Sequence, residues 1–113
     1  MRLLLGTDGQ EVPFCLTDAA GNRLTSLALA DIDVTVWKPT FAGFGRTANE
    51  HPAREIGFGW YVYAAGAADV DVEAPLVLRA VHDSAVPCEV VLDVVPAEPS
   101  VPATARPIGR EGF

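Results

Sequence analysis

Hydrophobic and polar residues alternate with a period of two along most of this chain, the spacing of strands half-buried in a sheet rather than of helices. "EVPFCLT" (Glu11 to Thr17) places Val12, Phe14 and Leu16 on one face, and "DAAGN" (Asp18 to Asn22) follows with turn chemistry, Gly21 being free to take a positive φ. "DIDVTVWK" (Asp31 to Lys38) sets Ile32, Val34 and Val36 against Asp33, Thr35 and Trp37, and Pro39 closes it. "WYVYA" (Trp60 to Ala64), "APLVLRAV" (Ala74 to Val81) and "CEVVLDVV" (Cys88 to Val95) are further strands, the last two joined by a hairpin at "HDSAVP". With a short "REI" (Arg54 to Ile56) this makes five or six strands.

The segments between them are short of pattern. "LTSLALA" (Leu24 to Ala30) has room for one helical turn, and "FAGFGRTANEHPA" (Phe41 to Ala53) is a long loop rich in Gly, Asn and Pro. No long helix is expected. The predicted fold is all-β, one small sandwich or barrel over residues 1–95.

After Val95 the pattern stops. "PAEPSVPATARPIGREGF" (Pro96 to Phe113) holds four of the nine prolines, which favour an extended chain without a ladder. Residues 96–113 read either as a frayed terminus or as a C-terminal arm that orders on a neighbour by burying Ile108 and Phe113.

Composition narrows the partners. The 113 residues are 50% hydrophobic and 20% charged, enough to bury one core, and the net charge of −7 repels phosphate backbones and anionic lipid surfaces. Neither nucleic acid nor membrane is an expected partner. "MRLLLGTDGQ" is short of a signal peptide's apolar region and no stretch reaches a membrane span, so synthesis without export is expected. Cys15 is out of phase with Val12, Phe14 and Leu16 while Cys88 is in phase with Val90 and Leu92, so the two are expected to remain free thiols that do not meet.

Candidate chemistry is sparse. "GFG" (Gly57 to Gly59) lacks the third glycine of a dinucleotide loop and is followed by a strand where that loop needs a helix, so it reads as a turn. His82, Asp83 and Ser84 have the residue types of a hydrolytic triad, but adjacent residues cannot face one another as a triad requires. No enzyme and no cofactor is expected. Asp69, Asp71 and Glu73 alternate, so in an extended chain their carboxylates would share one face as calcium ligands might, although a local turn and edge role fits them better. Strand phase assigns Trp60 and Val62 inward and Tyr61 and Tyr63 outward, with Trp37 opposite Ile32, Val34 and Val36. Tyr61, Tyr63 and Trp37 are therefore the expected binding or assembly surface.

The order of the pieces "VPFCLTDAAGNRLTSL", "DIDVTVWK", "EIGFGWYVYAAGAADVD" and "PLVLRA" resembles a group of small phage virion proteins and modules, from about Val12 to Val95. Their shared outline is "VPFxLxDxxGxxLTxL", "DIxVxVxK", a variable loop, "EIGxGWYxxxxxAxDxD" and "PLVLRA". The resemblance implies a small antiparallel β-sandwich, immunoglobulin-like or baseplate-module-like, of tails, baseplates, collars, fibres or head decoration, located in the virion. It implies a structural adaptor in multiple copies, docked on other virion proteins, and brings no catalytic residues. Two alternatives stand beside it: a module stacking host glycans on its aromatics, and a calcium-dependent accessory domain.

Overall fold

The computed structural model describes residues 1–96, and the arm with Ile108 and Phe113 lies outside the described residues. The chain is all-β, two sheets packed face to face. In order the strands are β1 (Arg2–Leu4), β2 (Gln10–Cys15), β3 (Asp33–Trp37), β4 (Gly45–Arg46), β5 (Arg54–Gly57), β6 (Trp60–Ala65), β7 (Pro75–Val81) and β8 (Cys88–Val95). One sheet has the order β1-β8-β7-β3-β4, the other β2-β6-β5.

Alternation decides which side of each strand is buried. Val34 and Val36 from β3, Leu76, Leu78 and Ala80 from β7, and Leu92 and Val94 from β8 form the inner face of the larger sheet. Val12, Phe14, Tyr61, Tyr63 and Ala65 form that of the smaller, each at most 4% exposed. The two inner faces interdigitate as in other sandwiches, so apolar burial is the main stabilising term.

Among the described residues all strand pairings are antiparallel except one. The three-residue β1 runs parallel to β8, with Leu3 opposite Val94. Sequence pattern does not reveal it, because three residues carry too little alternation. Its local support comes instead from Gln10, whose amide accepts from the Leu4 N–H at 2.7 Å and donates to the Leu4 carbonyl at 2.9 Å.

Turns follow their residue chemistry. Asp18 Oδ1 accepts from the N–H groups of Ala20 and Asn22, both at 2.9 Å, and Gly21 takes a φ of +87°, as its sequence foretells. These backbone N–H groups, Asn22 foremost, hold the exposed Asp18 carboxyl below its usual range. The helical turn expected near Ala30 is a 3₁₀ turn at Leu29–Asp31.

The expectation about the cysteines is corrected in part. Both are free, yet the Thr17 carbonyl accepts from the Val86 N–H at 2.9 Å, which brings the chain beyond β2 against the chain before β8. Each strand's phase refers only to its own sheet. It does not report where the edge of one sheet meets the edge of the other.

Candidate functional site

The expected outward pair, Tyr61 and Tyr63, is buried at 0% exposure, which reverses the phase read from the sequence and removes both residues from any surface. Trp60 points outward instead, while Val62 is buried on that outer face between its register partners Arg54 and Pro13. The reason is hydrogen bonding. A tyrosine can enter a core only if its hydroxyl finds partners, and the loops at the sandwich rim supply them.

Tyr61 Oη donates to the Leu24 carbonyl at 2.7 Å and accepts from the Leu27 N–H at 3.2 Å, pinning the loop before β3. Its ring stacks on Phe14 with centroids 6.1 Å apart. Tyr63 Oη donates to Asp69 Oδ2 at 2.5 Å and accepts from the Asn49 N–H at 3.2 Å. Burial, followed by the bond to Asp69, pushes the Tyr63 hydroxyl up to about 12. Each tyrosine is thus a core residue whose tip fastens a loop.

Asp69 completes this network from a 3₁₀ turn, Ala67–Val70. Its Oδ1 accepts from the Ala48 N–H at 2.8 Å and its Oδ2 also accepts from the Gly66 N–H at 2.9 Å. Thr47 extends it: Oγ1 donates to the Val34 carbonyl at 2.7 Å and accepts from the Glu50 N–H at 3.0 Å. The long loop between β3 and β5 is therefore held to both sheets.

The calcium geometry is corrected as well. The segment is not extended at Asp69, so the three carboxylates do not line up. Asp69 is buried and occupied by three donors, and Glu73 is exposed. Asp71 already has a cation, since Lys38 Nζ lies 2.8 Å from its Oδ1 and 2.7 Å from the Ala68 carbonyl. The Lys38 side chain is buried and its ammonium sits 5.0 Å from the Phe41 ring centroid. The charge that this corner needs is supplied by the chain itself.

Trp37 is half-buried on the outer face of the larger sheet, as its phase predicts. It stands in register beside Val77, which pairs with Val91, an exposed residue on β8. These form an apolar row across three strands.

Among the described residues, the most exposed aromatic is one that the sequence reading does not single out. Phe58 is 80% exposed at the tip of the β5–β6 hairpin, with exposed Ile56 and Trp60 beside it in sequence. Gly57 pairs with Trp60, leaving a two-residue loop of Phe58 and Gly59, whose φ values of +55° and +81° are those of a type I′ turn. Ile56 falls in the register shift between Glu55 and Gly57, a bulge that turns it out. A glycine on each side of a phenylalanine, between two strands, was the available signal: the centre of a tight hairpin turn projects away from the core.

Ion pairs keep the surrounding sheet face polar. Arg54 of β5 reaches across β6 and binds Glu11 of β2 through both guanidinium nitrogens, holding the exposed Glu11 carboxyl below its ordinary range. Among the described residues no group of three potential metal ligands converges, and no helix is long and apolar enough to cross a membrane.

No family model, curated protein or solved structure matches this chain.

Proposed function

We propose that this chain is a non-enzymatic adaptor of a tailed-phage virion, used in multiple copies and docked on other virion proteins in tail, baseplate, collar or head decoration. The resemblance of its motif order supports the phage assignment. The observation that carries the docking role is the hairpin tip, where Phe58 projects 80% exposed from a turn whose φ of +55° an aromatic residue seldom adopts. Asparagine or glycine would suit that turn better, so a phenylalanine there is accounted for by what it touches. With Ile56 and Trp60 it forms an apolar prong on an otherwise acidic protein, suited to an apolar socket.

The glycan reading moves to the same prong. Trp60 and Phe58 are exposed aromatics of the kind that stack on sugar rings, whereas Tyr61 and Tyr63 are not accessible.

The test is co-sedimentation of the purified chain with the products of its neighbouring genes, wild type against Phe58→Ser. Adaptor function requires a complex with a capsid, portal or tail protein that weakens at least tenfold in the variant. Neighbouring genes free of virion proteins, or binding indifferent to Phe58, would overturn it. A saturable change in Trp60 fluorescence with host polysaccharide, without protein binding, would establish the glycan reading instead.

A further inference from the structure

Cys15 and Cys88 lie where the two sheets come edge to edge. The Leu16 N–H donates to the Gly59 carbonyl at 3.1 Å and its carbonyl accepts from the Leu24 N–H at 2.9 Å, so at this end of β2 the backbone groups of Leu16 are taken up on the β5–β6 hairpin side. Successive residues of a strand alternate sides, and those of Cys15 and Thr17 therefore point to the open edge of the small sheet. There the Thr17 carbonyl meets the Val86 N–H at 2.9 Å.

The facing chain is also open. β1 covers β8 only from Asp93 to Val95, leaving the start of β8 uncovered on the side turned to β2. Two residues back from Thr17 is Cys15, and two residues on from Val86 is Cys88, so this one backbone bond brings both cysteine-bearing segments to the same place. A disulfide spans Cα atoms roughly 4.4–6.8 Å apart. β2 and β8 do approach within 8 Å between Cα atoms. Both thiols are free and half-buried, and Cys15 is among the groups whose charge and backbone act on the Cys88 thiol.

We infer that Cys15 and Cys88 form a dithiol modification site that oxidises to an intramolecular disulfide, tying the open edge of the small sheet to the start of β8. The co-reactant is a low-molecular-weight disulfide. Cys88 lines the core beside Val12, Phe14, Val34 and Val90, and burial pushes its thiol up, which leaves Cys15 as the first nucleophile. The Cys15 thiolate attacks the small disulfide, forming a mixed disulfide and expelling one small thiolate. Cys88 then loses its proton and attacks the Cys15 sulfur, expelling the second. One S–S bond breaks and one forms, two electrons pass to the small disulfide, and two small thiols leave. This inference is independent of the adaptor reading.

The experiment is incubation of the native, full-length chain with oxidised glutathione, followed by intact mass, thiol titration, a non-reducing peptide map and a thermal melt. The expected result is a monomer lighter by two hydrogens, no titratable thiol, a peptide linking Cys15 to Cys88, and a melting temperature raised by roughly 10 °C. Cys15→Ser should leave Cys88 as a free thiol and abolish the rise. Stable glutathione adducts, a disulfide-linked dimer, two persistent thiols, or a melting temperature that falls on oxidation would each overturn it. The wild-type mass and peptide map decide the matter without any variant.

Discussion

Replacing Phe58 by asparagine should stabilise the protein. An L-residue in the left-handed region costs about 1–2 kcal/mol, and a bulky aromatic bears most of it, whereas asparagine tolerates that region and heads the preferences for type I′ turns. Phe58 sits there at φ +55°. Against the relief stands the lost burial. A fully buried phenylalanine is worth up to about 3 kcal/mol, but this one is 80% exposed, so truncation forfeits only about 0.5 kcal/mol. The net gain is about 0.5–1 kcal/mol, or ~3–5 °C in melting temperature for a domain of this size. Phe58→Gly removes the same strain but frees the unfolded chain, which returns about 0.5–1 kcal/mol and brings the variant near neutral. Denaturant unfolding of the three proteins, with melting curves, reads the ranking Asn above Gly, and Gly close to wild type. A loss of 1 kcal/mol or more in Phe58→Asn would refute the reasoning, because it would mean that the ring stabilises the fold itself and is not kept for a partner.

Other outcomes follow from the same geometry. Gly59→Ala should cost about 2 kcal/mol or more in denaturant unfolding, since the residue takes φ +81° and a Cβ there would lie 2.9 Å from Arg23 Cβ and 3.3 Å from the Leu24 nitrogen. Tyr63→Phe should cost about 2 kcal/mol by leaving Asp69 and the Asn49 N–H short of a buried partner, and the 47–49 segment should lose amide-exchange protection. Because the Tyr63 hydroxyl is raised to about 12, above its unfolded value near 10, its contribution is fully present below pH ~10 and is lost as pH rises through about 12. Stability should therefore fall across that window, and phenolate absorbance should show Tyr63 ionising late. Excess chelator should leave the melting temperature unchanged, since Lys38 occupies the Asp71 carboxylate; a drop of several degrees would restore the calcium reading.

The strands and their order of appearance were legible along the chain because alternation is a local property. β3, β7 and β8 each show a clean inner face, and the Asp18 turn declares itself through an aspartate and a positive-φ glycine. β6 was legible as a strand but not in phase. Trp60, Tyr61, Val62 and Tyr63 are all apolar enough for either side, so periodicity could not choose, and the choice fell to hydroxyl partners: the Leu24 carbonyl, 37 residues away, and Asp69, held by its own 3₁₀ turn. β1 was invisible for a related reason, having no pattern until β8 offers it an edge.

The same division runs through the candidate sites. Asp69, Asp71 and Glu73 alternate in sequence, but a shared face requires extended chain, and the turn at Ala67–Val70 disperses them to Tyr63, Lys38 and solvent. Phe58 could have been found from its two glycines, whereas the approach of the chain after β2 to the chain before β8 could not, because it depends on where one sheet's edge passes the other's. Local chemistry determined which segments are strands and turns. Tertiary structure decided which aromatics face water and which carboxylate meets a cation, since each of those depends on a partner supplied by a distant part of the chain.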